Sequence, residues 1–314
     1  MSDAPKYRFS GHESFPCRYA WLPKAFQAIG DDPEVFSDEE DAMVTLGVGK
    51  NMVRSIRFWM QVSGIARARE RGGYERSEFG KILLKRGGAD PYLEDRRTLW
   101  LIHWQMATQV SEPLFAWDFL LNGWLGSAFS RTEVLDGFRT QSTKLERKLS
   151  PVTLSQHFDT FLHTYVPTQG KKSAVQEDTL DCPLVELELI QRVGERSLEG
   201  SDSRESLYAF NRDRKEEITG RLFAFCLDDF WKKCLPGEST LQLSDVANAR
   251  YSPGRIFQLS EWDVRERLEN IEEDSDGAFQ FVESALFQRI TRENKVDPNV
   301  LLSAIYESEA TTYG

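Results

Sequence analysis

The chain has only four cysteines, and none forms the CxxC pair of a zinc ribbon or a redox centre. Cys17, Cys182, Cys226 and Cys234 are therefore expected as free, buried thiols rather than as a disulfide framework. Long apolar runs are also missing. A membrane-spanning helix needs about 18 apolar residues, and the best candidate, Leu114 to Leu125, is interrupted by Asp118 and Asn122. The opening residues, MSDAPKYRFSGHESF, lack a basic segment followed by an apolar one. No secretory signal and no membrane role are expected, and the cytoplasm is the expected compartment. Nuclease patterns of the PD-(D/E)xK, HNH and HUH types are absent. What is present is core-forming material: 314 residues, 40% hydrophobic and 12% aromatic, enough for two or three domains.

Acids outnumber bases 50 to 39, a net charge of −11, but the excess is uneven. Residues 1–100 carry 16 Lys/Arg and 15 Asp/Glu. Within them, residues 50–86 hold ten bases (Lys50, Arg54, Arg57, Arg67, Arg69, Arg71, Arg76, Lys81, Lys85, Arg86) against three acids (Glu70, Glu75, Glu78). A basic module of this size inside an acidic protein has the electrostatic footprint that binding a phosphate backbone requires.

The basic stretch has a recognisable order. Ser37-Asp38-Glu39-Glu40 reads as a capping box, so a helix should begin near Asp38 and run through Ala42, Met43 and Leu46 to the break Gly47-Val48-Gly49. A second helix should begin near Lys50. At 100° per residue Met52, Val53, Ile56, Trp59 and Met60 fall within about 120° of arc, while Lys50, Arg54, Arg57 and Gln61 cluster opposite. Two short basic strands then flank Gly72-Gly73, a favoured hairpin turn. Helix, turn, basic helix and basic hairpin make a winged helix, whose second helix would enter the major groove while the wing follows phosphates. The expected duplex-DNA contacts are Lys50, Asn51, Arg54, Arg57, Gln61, Arg67, Arg69, Arg71, Tyr74 and Arg76. The string LGVGKN lacks the first Gly and the Ser/Thr of GxxxxGK[ST] and follows a capped helix, so no nucleotide cofactor is expected. Lys50 and the amides of that helix start would instead hold a DNA phosphate.

From Asp95 to Tyr165 the apolar spacing is helical throughout, and six of the eight Trp precede residue 125, giving the first half an aromatic core. His103 lies on an apolar stripe and reads as a buried, hydrogen-bonded histidine. His157 and His163, six apart, cannot share a metal as an i, i+4 pair does. Glu186 and Glu188 read as an exposed strand face rather than a magnesium site. Beyond Glu216 a second winged-helix-like order recurs, but residues 261–274 hold two bases and seven acids, which would repel phosphate and suit protein docking. The expected fold is mainly α with minor β. Its parts are an N-terminal arm (1–30), a basic winged helix-turn-helix (31–90), a helical bundle (91–170) and an acidic C-terminal domain with a winged-helix-like module (171–314).

Three stretches, RFSGHESFPCRYAWLPKAFQAI (8–29), TLGVGKNMVRSIRFWMQVSGIA (45–66) and SPGRIFQLSEWDVRERLENI (252–271), resemble the domain-of-unknown-function family 4007. That family includes the SspB components of single-strand DNA phosphorothioation systems. The resemblance implies a DNA-nicking subunit in a bacterial system that marks DNA with sulfur and defends against phage. It further implies work beside a cysteine desulfurase and an ATP-using sulfur-transfer enzyme. A nickase needs a base or metal to activate water and a cation to offset charge on the phosphorus centre. His12, Glu13 and Arg18 are the expected catalytic cluster, with magnesium or manganese as the expected cofactor. A non-catalytic DNA-binding adaptor and a winged-helix transcription regulator are the alternatives. A homodimer would be typical of winged-helix readers, although no heptad repeat announces one.

Overall fold

The computed structural model describes residues 5–146, 149–168, 182–197, 203–284, 287–292 and 296–307. Residues 5–8 lie alongside 111–115, with Arg8 N–H donating to Pro113 O (2.9 Å) and Phe115 N–H donating to Arg8 O (3.1 Å). Helix α1 (Trp21–Asp31) buries Trp21, Leu22, Ala25, Phe26 and Ile29 on one side. The segment 1–30, expected as an arm, thus contains a helix that packs on its neighbours. α2 (Glu39–Leu46) is capped by Asp38, whose carboxylate accepts from the amides of Glu40 and Asp41. Ser37 is not the cap, because its hydroxyl donates to Glu34 at 2.7 Å. Gly47, at φ 63°, closes α2 in the left-handed conformation that glycine adopts without strain, and α3 (Lys50–Val62) follows. Strands β1 (Ala66–Ala68) and β2 (Tyr74–Arg76) pair antiparallel, with Arg67 opposite Glu75. The loop between them, 69–73, is longer than the expected two-residue turn, with Gly72 and Gly73 both at positive φ. α4 (Glu78–Leu84), capped by Ser77, ends the basic region.

The middle is less uniformly helical than its spacing predicts. α5 (Arg96–Ala107) is buried nearly all round and forms a central rod of the core. α6 (Phe115–Trp117) runs into a π-helical stretch, Asp118–Gly123. β3 (Phe129–Ser130) then interrupts before α7 (Arg131–Lys144) and α8 (Pro151–Tyr165). Pro113 and Gly123 break the helical run, and β3 is recruited by a distant strand, Phe129 pairing with Tyr208. That sheet has the order β3-β5-β4, from β4 (Ile190–Ser197) and β5 (Arg204–Phe210). Glu186 and Glu188 do not lie on a strand face. Residues Pro183–Leu187 form a 3-10 turn, and Tyr19 hydroxyl donates to Glu186. The expected boundary near residue 170 lies outside the described residues.

The C-terminal part runs α9 (Gly220–Cys234), β6 (Thr240–Gln242), α10 (Leu243–Asn248), α11 (Pro253–Ile256), α12 (Glu261–Glu269), α13 (Ile271–Asp274), β7 (Phe279–Glu283), β8 (Gln288–Arg292) and α14 (Pro298–Ala304). β6, β8 and β7 form an antiparallel sheet in that order. One apolar core extends from Tyr7 to Ile305 through the fully buried Trp59, Trp100, Trp104, Trp117 and Trp231. The cysteines are free, with Cys17, Cys182 and Cys226 buried. His103 is buried as expected, Nδ1 accepting from Tyr165 hydroxyl (2.7 Å) and Nε2–H donating to Ile256 O (3.0 Å).

Candidate nucleic-acid interface

Two sides of α3 are covered. Val53, Ile56 and Met60 are buried in the core, and the N-terminal segment covers Ser55 and Trp59. Ser55 hydroxyl donates to His12 O (3.0 Å) and Trp59 Nε1–H to Phe15 O (2.9 Å). What remains outside is one stripe with helical spacing: Lys50, Asn51, Arg54, Arg57 and Gln61, each exposed or half-exposed.

These cations are not equivalent. Glu39, the first residue of α2, accepts from Arg54 Nε (2.7 Å) and Nη2 (3.1 Å) and pairs with Lys50 Nζ (2.9 Å). Arg54 first, then Lys50, holds the Glu39 carboxyl down to about 2. Among the described residues, the side chains of Arg57 and Asn51 make no hydrogen bond or ion pair. Gln61 Nε2–H donates to Arg57 O (3.1 Å) and lies 3.4 Å from Tyr74 hydroxyl, linking α3 to the hairpin.

On the hairpin, Arg67 pairs with Glu75, while Arg69 and Arg71 at the loop are exposed and unpaired among the described residues. Arg76 is turned away from the expected surface. Its Nε–H donates to Phe26 O (2.7 Å), its Nη2–H to Gln27 O (3.0 Å), and the guanidinium lies 4.3 Å from the Phe26 ring. Strand alternation explains this: Arg76 shares a face with Tyr74, whose ring packs edge-on against Phe36, and that face looks toward the helices. Arg76 therefore ties the hairpin to α1.

His12, Glu13 and Arg18 diverge. Gly11, Glu13 and Ser14 have φ values of 110°, 49° and 63°, a sharp turn in which a Cβ on Gly11 would meet Phe58 at 2.8 Å. The turn drives His12 inward. His12 Nδ1 accepts from Ser14 N–H (3.1 Å) and lies 3.1 Å from Thr160 hydroxyl, which donates to Gln156 O (2.9 Å). His12 Nε2 lies 3.0 Å from His157 Nδ1, and His157 Nε2 accepts from Ala116 N–H (3.0 Å). Burial pushes His12 down to about 4 and His157 well below its ordinary value. Glu13 projects outward, close enough to α3 for its charge to act on Arg54. Arg18 lies apart, 5.5 Å from the Trp21 ring.

Among the described residues no group of three or more His, Cys, Asp or Glu is placed to hold a metal ion. Glu39 is engaged by Arg54 and Lys50. Sequence reasoning missed Glu39 as a partner of the basic stripe, along with His157 and Thr160 as partners of His12. Only the acidic first turn of α2, which opens at Glu39 ahead of the Gly47–Gly49 break, signalled the first of these.

No helix among the described residues is long and apolar enough to cross a membrane. No curated protein matches the chain. Among solved structures, a magnesium ion-bound SspB superposes with a TM-score of 0.80 and another SspB structure with 0.79. Each is 26% identical, over 96% of this chain and 87% of that chain. A family model described as a protein of unknown function, DUF4007, matches residues 9–306. The chain therefore belongs to the DUF4007 family, with an SspB-like fold.

Proposed function

We propose that this protein is the DNA-engaging subunit of a bacterial DNA phosphorothioation and phage-defence system, and that it nicks one strand of duplex DNA so that sulfur can be incorporated. The likeness to SspB supports the system. The observation that carries DNA binding is the single uncovered stripe of α3, set beside the exposed arginines of the β1–β2 loop. In this reading α2, α3 and the hairpin act as a winged helix. Arg57, Arg69 and Arg71 meet phosphates directly, and Lys50 and Arg54 reach them by exchanging Glu39 for a phosphate oxygen. The acidic C-terminal module docks the cysteine desulfurase or the sulfur-transfer enzyme rather than DNA.

For nicking, water adds to phosphorus and one ester oxygen leaves as an alcohol. Glu13, held outward by a strained turn beside Arg54, is placed to accept the water proton, and Arg54 to offset the added negative charge. His12 positions that turn. Magnesium or manganese would enter with the DNA phosphates, since Mg²⁺ commonly keeps its water and takes one or two carboxylates. The burial of His12 favours a second reading, a non-catalytic adaptor that loads the same machinery onto DNA. A supercoiled-plasmid assay separates them. Open-circle product that requires Mg²⁺ or Mn²⁺, disappears in EDTA and is lost in Glu13→Gln supports the nickase. Salt-sensitive binding without nicking supports the adaptor.

A further inference from the structure

Three distant segments meet at a second polar cluster. Asp118, the first residue of the π-helical stretch, is buried and accepts from Tyr7 hydroxyl at 2.9 Å and from Arg250 Nη2. Arg250 Nη2 also lies 3.0 Å from Tyr7 hydroxyl and 3.4 Å from Tyr251 hydroxyl. Tyr251 has φ 65°, an unusual conformation for a bulky residue, and is pinned by its amide donating to Asn122 Oδ1 at 2.7 Å. The cluster forms one wall of an open cavity of about 740 Å³, lined by Pro5, Lys6, Tyr7, Val110, Ser111, Arg250 and Tyr251. The left-handed Tyr251 lines the cavity, and the π-helical stretch stands behind it, Asp118 holding Tyr7 and Arg250 and Asn122 holding the Tyr251 amide.

The charge arrangement is specific. Every hydrogen bond of the Arg250 guanidinium among the described residues comes from Nη2, and the side chain is 52% exposed. Asp118 thus fixes the orientation of the guanidinium, leaving Nη1 and Nε for a ligand. Lys6 adds a second cation and is 75% exposed, 3.8 Å from Glu112. Glu112 is itself held mainly by Arg8 Nε at 2.9 Å, so the acids beside the cavity are already matched by bases. Pro5 and the half-exposed Val110 supply apolar wall.

We infer that this cavity binds one nucleotide of an unpaired DNA strand, its phosphate on Arg250 and Lys6 and its base against Pro5 and Val110. The cavity lies within the usual size range of small-ligand sites. From Tyr7 to Glu13 the chain can span at most roughly 20 Å, so the cavity is within a few nucleotides of the strained turn. This inference rests on the reading of the chain as a protein that opens duplex DNA, and gives the released strand a place to go.

The test titrates end-labelled tetrathymidylate and, separately, a labelled duplex against wild type, Val110→Glu and Lys6→Glu. Val110→Glu sets a carboxylate on the cavity wall without touching its hydrogen bonds. The expected result is tetrathymidylate binding weakened about tenfold, the scale of one lost charge-assisted contact, in both variants, with duplex affinity within about twofold of wild type. Wild type that does not bind tetrathymidylate, or variants that bind it equally well, would overturn the inference. Tetrathymidylate binding that both variants weaken, in a protein that does not bind the duplex, would support the cavity while sinking the winged-helix reading.

Discussion

His12 is separated from His157 by 145 residues, yet the two rings share a hydrogen bond inside the core. His12, His103 and His157 are all buried as neutral rings, the first two pushed down to about 4 by burial. An unfolded histidine takes up a proton as pH falls through about 6.5, whereas these folded rings do not. Their contribution is therefore complete above pH 6.5 and is lost progressively as pH falls below it, toward about 4 for His12 and His103, at about 1.4 kcal/mol per pH unit for a ring that stays neutral. Glu39, held to about 2 by Arg54 and Lys50, titrates below that window. Thermal melts should show a marked fall in midpoint between neutral pH and pH 5, and equal midpoints would contradict three buried neutral histidines. Local sequence could announce that His103 is buried, because its neighbours at helical spacing are apolar. It could not announce the same of His12, whose burial depends on Gly11, Phe58 and the distant helix α8.

At the level of elements, the boundaries of α3 and its two faces were legible because Gly47, Gly49 and the 3.6-residue period are local signals. The hairpin was legible from Gly72-Gly73, though not its loop length. The fate of individual arginines was not, because it depends on partners across the fold. Arg76 belongs to α1, and Arg54 and Lys50 belong in the free protein to Glu39. Glu39 thereby competes with phosphate for the stripe. Glu39→Gln should raise duplex affinity and steepen its salt dependence by about 0.9 log units for each phosphate newly contacted. Unchanged affinity in gel shifts would mean that Lys50 and Arg54 do not reach DNA. Arg57→Glu, at a side chain with no internal partner among the described residues, should weaken binding more than Arg54→Glu without disturbing thermal stability. The helical reading of the middle of the chain gave way at Phe129–Ser130 for a related reason: β3 forms only because β5 pairs with it.

Across the whole molecule, a basic α3–hairpin region and an acidic C-terminal region share one apolar core. This division of charge was readable from composition, as was the recurrence of helices followed by a hairpin in the C-terminal part. The joint between the halves, where Tyr7, Asp118, Arg250 and Tyr251 meet, left no trace in any local pattern, since these residues come from three distant segments. The central claim is that the uncovered stripe of α3 and the loop arginines bind duplex DNA through phosphates. It is tested most directly by the affinity of a short labelled duplex across a salt series, for wild type and for the combined Arg57→Glu, Arg69→Glu and Arg71→Glu variant. The account predicts a log–log slope of about −3 or steeper for wild type, near 0.9 for each phosphate contacted, and loss of binding in a folded variant. A flat slope, or a variant that binds as wild type does, would contradict it.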